Sequence, residues 1–497
     1  MKDISRRQFI KYGMGGVGAL VVGSGMPWLF RSKANAQVVQ SLHFDITDAM
    51  KEMVTHNAIN PDAECYFWIF KEANLPAECP GPHIFVTQGD TVPLTVHNLL
   101  DEPHAFSIPA LGFSTGIINP GDIWSDDLVI PAGAAAGAYL YYDDLNAPVN
   151  RMMGLHGAII VVPAVQGNSP YANLDPDSGV QKLFNDFGNS VHFPGLAWNE
   201  GDAVTPAYRR YIWLTHEASP KLFAEVGNLA PGVIYDPVAF MDAFLRDPFQ
   251  IHAYHADNPG GNRVPQYFTI NGQSGHFAHN NPWIVPMARV GEPVVVHILN
   301  AGLWTHSMHL HANHFYVTSV KHTNPDGTVV GGVSENPIWV DVYNVEPMDQ
   351  IDYTIPFMRC PDVPNARGIG YPDTPRTAVN GTPVWPPVEE FERYHPGIGK
   401  DMAQDMLGNA IDLAERQSPL CYPMHDHSEA SQTSQGGNYN CGLIAGIYFV
   451  GDRNTPGHMD FPKDAHFEHM LKPHGTHVYG FSGTGNPAPP VVEEHGH

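Results

Sequence analysis

Positive charge is what this chain has least of. Its 497 residues hold 26 Lys and Arg against 51 Asp and Glu, a formal net charge of −25. Such a surface repels nucleic acid and anionic lipid and draws cations, metal ions among them. Plain solubility is an equally good use of it. Cysteine is scarcer still: five, at positions 65, 79, 360, 421 and 441. In an oxidising compartment that number allows one or two bridges and a leftover thiol. Cys65 with Cys79 and Cys360 with Cys421 are the candidate pairs, although connectivity does not follow from sequence. Beyond the first few dozen residues no apolar run is long enough to cross a bilayer, so no membrane span is expected in the mature chain.

The N-terminus carries an address. Ser5-Arg-Arg-Gln-Phe-Ile-Lys11 is a twin-arginine string, the run Val17 to Leu29 is mostly apolar, and Ala34-Asn-Ala36 precedes Gln37. A twin-arginine signature with an A-x-A site reads as a Tat signal over residues 1–36 rather than a membrane anchor. It implies a periplasmic or extracellular protein, exported already folded.

With 48 Gly, 45 Pro and 11% aromatics, the composition suits an all-β protein with many turns. It also contains one unit twice. Gly89-Asp-Thr-Val-Pro-Leu-Thr-Val-His97 followed by His104 matches Gly291-Glu-Pro-Val-Val-Val-His297 followed by His306. The ungapped match pairs Val92 with Val294, Asn98 with Asn300 and His104 with His306. Later, Tyr139-Leu-Tyr-Tyr-Asp-Asp144 matches Tyr422-Pro-Met-His-Asp-His427, pairing Asp143 with Asp426. Each is followed by a closing strand, Gly154 to Val162 and Gly442 to Val450. The second copy carries a long insertion between its halves. Alternating or apolar strands broken by Gly, Asp and Pro turns are the pattern of Greek-key sandwiches. Helix signals lie outside them, at Asp236-Pro237 and in the amphipathic stretch Lys400 to Gln417.

These motifs resemble those of the multicopper oxidases over roughly residues 80–165 and 265–452. The resemblance implies tandem Greek-key cupredoxin sandwiches with helical insertions. The expected layout is a cupredoxin domain at 37–165, a linker or insertion region at 166–264 that offers strands to the second domain, a second cupredoxin domain at 265–452 with an insertion at 357–420, and a His-rich tail at 453–497. No third copy of the histidine motif occurs in 166–264.

His306-Ser-Met-His-Leu-His311 resembles the HxxHxH of the last multicopper-oxidase domain. There the first histidine ligates blue copper and the other two belong to a trinuclear cluster. Strand alternation puts His425 and His427 on one face and Asp426 on the other. His309, His311, His425 and His427 therefore converge as candidate metal ligands, and imidazole suits Cu, Zn, Fe or Ni. The bland alternative is a polar histidine cluster satisfied by carboxylates and water. His306, Asp426 and Asp144 are weaker candidates.

The departures from the family pattern are specific. Asp426 stands where the blue-copper cysteine belongs, and Ser431 where its second histidine belongs. Such a site needs a thiolate with two imidazoles; the expectation is instead that His306 donates to Asp426. In the first repeat the cluster positions hold Ser107, Pro109, Tyr142 and Asp144. A full trinuclear site in the family takes eight histidines, and this chain offers four.

The expected function is a copper-binding, multicopper oxidase-like oxidoreductase with one or two ions and no blue site. Its partners would be metal ions with a small reductant or redox protein. The alternatives are a metal-binding or delivery protein without turnover, a different transition metal in the site, and a copper-free scaffold. Two-domain relatives form trimers, so a homotrimer stays open.

Overall fold

The computed structural model describes residues 28–29, 41–53, 63–73, 75–165, 167–187, 208–245, 267–279, 281, 283–288, 293–311, 313–357, 376–377, 383–384, 420–433, 439 and 441–449. Most of residues 1–36, where the Tat signal was expected, most of the expected insertion with its Lys400–Gln417 stretch, and the His-rich tail lie outside these residues. Among the described residues, no helix is long and apolar enough to cross a membrane.

Two β sandwiches account for most of what is described, as the all-β reading expects. In the first, a four-stranded sheet runs Ala63–Glu72, Leu42–Met53, Thr91–Asn98, Ile123–Val129. It faces a sheet built chiefly from His83–Thr87, His156–Val162 and Gly137–Tyr142. In the second, the six-stranded sheet runs Tyr267–Ile270, Arg209–Ala218, Val294–Asn300, Asp349–Ile355, Phe315–Thr323, Val329–Val340. Its partner runs Met287–Ala288, Ile444–Phe449, Leu420–Asp426, His306–Leu310, Val342–Val345.

Sequence pattern decides how deep each strand sits. Thr91–Asn98 alternates, so Val92, Leu94, Val96 and Asn98 face the core and their neighbours face outward. Gly137–Tyr142 is buried along its whole length because both its faces are covered. Tyr139 and Tyr141 enter the first core. Ala138, Leu140 and Tyr142 pack, with Phe85, Ala158 and Ile160, against Ile212, Leu214, Leu299 and Ala301 of the second sandwich. The two sandwiches thus share an apolar seam, each fully buried Leu or Ile side chain contributing about 1.5–3 kcal/mol.

The scarce cations tie that seam. Lys51 Nζ donates to the carbonyl of Gly272 at 2.5 Å, Arg151 to that of Ala301 at 2.7 Å, and Lys321 to that of Ala138 at 2.8 Å. Each bond runs from one sandwich to the other. Burial lowers the pKa of Lys321 to about 8, against the pull of Asp352.

The stretch between the repeats supplies structure to both units. Arg209–Ala218 pairs parallel with Val294–Asn300 in the second. The helix Pro220–Gly227 lays Leu222, Phe223 and Val226 on the first core. The helix Pro237–Leu245 starts as its Asp-Pro signal indicates, Asp236 accepting from the backbone N–H of Val238 and Ala239.

One expectation fails. Cys65 and Cys79 are both free and buried. Cys65 is held inside the strand Ala63–Glu72, whereas the Cys79 thiol turns to the carbonyl of Gly154, so proximity in sequence does not make a bridge. Cys360 and the side chain of Cys421 lie outside the described residues.

Candidate metal centre

The strand His306–Leu310 alternates between the two faces of its sheet. His306, Met308 and Leu310 point inward, Ser307 and His309 outward. Leu420–Asp426 runs antiparallel beside it, with His309 opposite His425 and Met308 opposite Asp426. Two more bonds extend the ladder, His311 N to the Pro423 carbonyl at 3.0 Å and His427 N to that of Ser307 at 2.9 Å. Cross-strand neighbours on one face lie within reach of each other, so this register alone gathers four imidazoles.

Their ring centres are closely spaced. His309 lies 4.9 Å from His311, 5.3 Å from His425 and 4.9 Å from His427; His425 lies 4.8 Å from both His311 and His427. One ligand nitrogen each of His309, His311 and His425 falls within 4.8 Å of the other two. His311 Nε2 and His425 Nε2 face each other at 2.7 Å, a separation that fits an N–H···N bond or a shared cation. His311 and His427 are exposed, His309 and His425 half-buried.

Surrounding groups choose the tautomers. A carbonyl only accepts, so His309 Nδ1, 3.1 Å from the Asp341 carbonyl, carries its ring proton. Tyr439 donates its hydroxyl proton to the Asp426 carbonyl at 2.9 Å and accepts from His425 Nδ1 at 2.6 Å. In both rings Nε2 keeps its lone pair for a ligand, the usual arrangement around a metal-binding histidine. Burial lowers the pKa of His425 to about 4, with His311, His427 and His309 adding to the effect. His309 and His311 are lowered as well, burial first. The hydroxyl of Tyr439 is pushed up to about 12 by burial and the Asp426 carboxylate, so it stays a donor.

The inner face is built differently. His306 is fully buried between two carboxylates, Nδ1 2.7 Å from Asp426 Oδ2 and Nε2 2.8 Å from Glu217 Oε1. Both ring nitrogens therefore donate. Burial alone would lower the pKa of this imidazole, but the charges and hydrogen bonds of Asp426 and Glu217 outweigh it and raise the value to about 10. Asp426 Oδ1 accepts from the backbone N–H of Ser307 and Ser428 at 2.7 and 2.9 Å, and Glu217 Oε2 from that of Leu303 at 2.8 Å. Every acceptor of this buried triad is used, which is what makes its burial tolerable.

Sequence reading finds the His306–Asp426 pair but misses Glu217, which arrives on Arg209–Ala218 from outside both repeats. A glutamate closing the mostly apolar run Tyr211-Ile-Trp-Leu-Thr-His-Glu217 was the available signal. Ser431 makes a structural bond instead, its hydroxyl accepting from the N–H of Leu443 at 2.8 Å.

The first sandwich repeats the inner pattern and not the outer one. His104 Nδ1 lies 2.7 Å from Asp143 Oδ2, which also accepts from Asn150 at 2.9 Å. At the outer positions Ser107 donates to Asp144 at 2.8 Å, Pro109 opens a short helical turn, and Tyr142 is buried opposite Ser107. Asp144 is thus engaged within the first sandwich.

Comparison with known proteins agrees in kind. Residues 73–166 and, separately, residues 249–357 match sequence-family models each described as multicopper oxidase. No curated protein matches the chain. Among solved structures, the blue copper oxidase from Nitrosomonas europaea matches at 16% identity with a TM-score of 0.44, over 86% of this chain and 93% of that one. The multicopper oxidase mgLAC matches at 15% and 0.45, over 85% and 91%. The copper nitrite reductase from Nitrosomonas europaea matches at 15% and 0.41, over 82% and 93%.

The family implies copper. The outer face of the second sandwich fits it, with clustered imidazoles of which His309 and His425 hold their ring protons on Nδ1, a donor type that suits a transition metal. The outer face of the first sandwich does not, since serine, proline, tyrosine and a bonded aspartate replace the imidazoles there. The two matched segments fall one on each sandwich, so each sandwich contains a segment that matches a multicopper oxidase family model.

Proposed function

We propose that the chain is an exported copper protein that holds one or two copper ions on His309, His311, His425 and His427 and works as an oxidoreductase without a blue copper centre. The observation that carries the reading is the pair of internal hydrogen bonds on Nδ1 of His309 and His425, which leave the lone pair of each ring on Nε2, that of His425 facing His311 Nε2 at 2.7 Å. Bound copper would supply a one-electron redox couple at that face. The four imidazoles hold and orient it, and Tyr439 and the Asp341 carbonyl fix two of the rings. Because His311 and His427 are exposed, copper held there would be open to a small reductant or a redox protein.

At the inner position a thiolate would have to displace the ion triad Glu217–His306–Asp426. Asp426 spends its oxygens on His306, Ser307 and Ser428, so it faces away from the outer cluster. This observation also supports a second reading, a metal-binding or delivery protein that uses the same four histidines without turnover.

Copper loading followed by metal analysis, absorption spectroscopy and oxidase assays with phenols, Cu(I) and Fe(II) separates these. Bound copper with turnover supports the first reading, and bound copper without turnover the second. No copper after loading sinks both, and an intense thiolate-to-copper band would refute the assignment of Asp426.

A further inference from the structure

A second convergence of ligand atoms lies sealed between the two sandwiches. Cys79 precedes the strand His83–Thr87, and His156 opens the strand His156–Val162, both in the first unit. His216 comes from Arg209–Ala218 of the second. One ligand atom of each lies within 4.8 Å of the other two, and all three residues are at most 5% exposed.

Two adjacent carbonyls orient the rings. His156 Nδ1 lies 2.9 Å from the Arg151 carbonyl, and His216 Nε2 lies 2.8 Å from that of Met152. Each of those nitrogens must carry the ring proton, so the lone pairs sit on His156 Nε2 and His216 Nδ1. His156 Nε2 is fully buried with no hydrogen-bond partner. A buried nitrogen in that condition has forfeited its hydration and regained nothing. The rings stand 4.4 Å apart between centres, tilted by 42°. The Cys79 thiol makes one long contact, 4.0 Å to the Gly154 carbonyl.

The surroundings are shaped to keep the thiol there. Gly154 has φ +118, and a Cβ on it would come within 3.0 Å of Cys79 Sγ and 2.5 Å of the Trp68 carbonyl. Lys51 donates to the carbonyls of Cys79, at 3.0 Å, and Gly272, holding the cysteine's backbone at the seam.

We propose that Cys79, His156 and His216 form a buried three-coordinate site for a soft monovalent cation, Cu(I), bridging the two sandwiches. Thiolate with imidazole selects copper or zinc, and structural zinc takes four ligands where three are assembled here. A monovalent ion with one thiolate is neutral overall, whereas a divalent ion would leave an uncompensated charge away from water. Binding exchanges the thiol proton for the ion: the S–H bond breaks, a sulfur–copper bond forms, one proton leaves to solvent, and no electron is transferred. The site shares no residue with the outer histidine cluster.

The test uses the full chain carrying His309→Ala and His425→Ala, produced in copper-supplemented culture and then washed with a Cu(I) chelator. X-ray absorption and metal analysis on this protein should show one copper per chain, monovalent, with sulfur at bonding distance. Adding Cys79→Ser should remove that copper, while adding Cys65→Ser should leave it in place. The copper-loaded chain should also melt higher than the same chain made without copper, since the ion joins both sandwiches. Chelator-washed protein with no copper, or with copper lacking a sulfur ligand, overturns the proposal without reliance on any cysteine variant. So does copper that survives Cys79→Ser. Failure here leaves the reading of the outer cluster untouched, because the test protein already lacks two of that cluster's four imidazoles.

Discussion

The imidazole of His306 meets the carboxylate of Asp426 at 2.7 Å, and in the first sandwich His104 meets Asp143 at the same distance. Repeat-equivalent positions thus carry the same buried pair twice. In each, an acid stands on the strand at the position that the proposed reading assigns to the blue-copper thiolate. The second copy goes further, because Glu217 closes the other side of the ring and turns the pair into a triad.

A single substitution should therefore not recreate a blue site. Asp426→Cys leaves Ser431 in place of the second imidazole and Glu217 on His306 Nε2. Copper-loaded Asp426→Cys is expected to lack an intense thiolate-to-copper absorption band. Its appearance would show that Glu217 yields His306 easily.

Breaking the triad from one end should be costly. Asp426→Asn or Glu217→Gln removes one charge from a buried, hydrogen-bonded set and is expected to destabilise by about 3–5 kcal/mol. Chemical denaturation monitored by tryptophan fluorescence measures it. A loss below about 1 kcal/mol, typical of exposed pairs, would mean the ring is not charged in the folded chain.

The same triad sets a pH dependence. His306 has a pKa of about 10 when folded against an ordinary value of 6.5. The folded chain therefore binds the extra proton between those limits. Its contribution to stability is complete below about pH 6.5 and is lost as pH rises towards 10, by at most roughly 1.4 kcal/mol per pH unit. Denaturation midpoints from pH 6 to 10 should fall in the wild type and flatten with His306→Gln. A midpoint that rises across this window would contradict the assignment.

Tyr439 offers a test of the outer cluster that spares its ligands. Tyr439→Phe removes the oxygen that accepts the Nδ1 proton of His425. Copper affinity, read by competition with a chelator, is expected to fall about 10–100-fold with the fold intact by circular dichroism. Unchanged affinity would remove Tyr439 from the site.

Gly302 marks where Glu217 needs space. A Cβ there would sit 2.2 Å from both carboxylate oxygens of Glu217, so Gly302→Ala should cost about 1–3 kcal/mol through overpacking. A double-mutant cycle with Glu217→Ala should recover much of that loss. Simple additivity would place the strain elsewhere.

Much of this was legible in the residues themselves. A period of two fixes which side chains share a face, so His425 and His427 had to part from Asp426, and His309 from Met308. The repeat announced two β units, and the Asp236-Pro237 step announced a helix. Local chemistry dictates such features, and a one-dimensional string records them.

Other features depend on which distant segments pack together. That Gly137–Tyr142 is covered on both faces follows from the seam between the sandwiches. Glu217 reaches His306 from a strand outside either repeat, and Cys79 stands beside His156 and His216 rather than bonding to the nearer Cys65. Sequence by itself determined the faces of the strands and the four clustered imidazoles. Tertiary structure decided the second carboxylate of the triad and the buried thiol–imidazole set, because both join segments whose proximity arises only when the two sandwiches bury their common apolar surface.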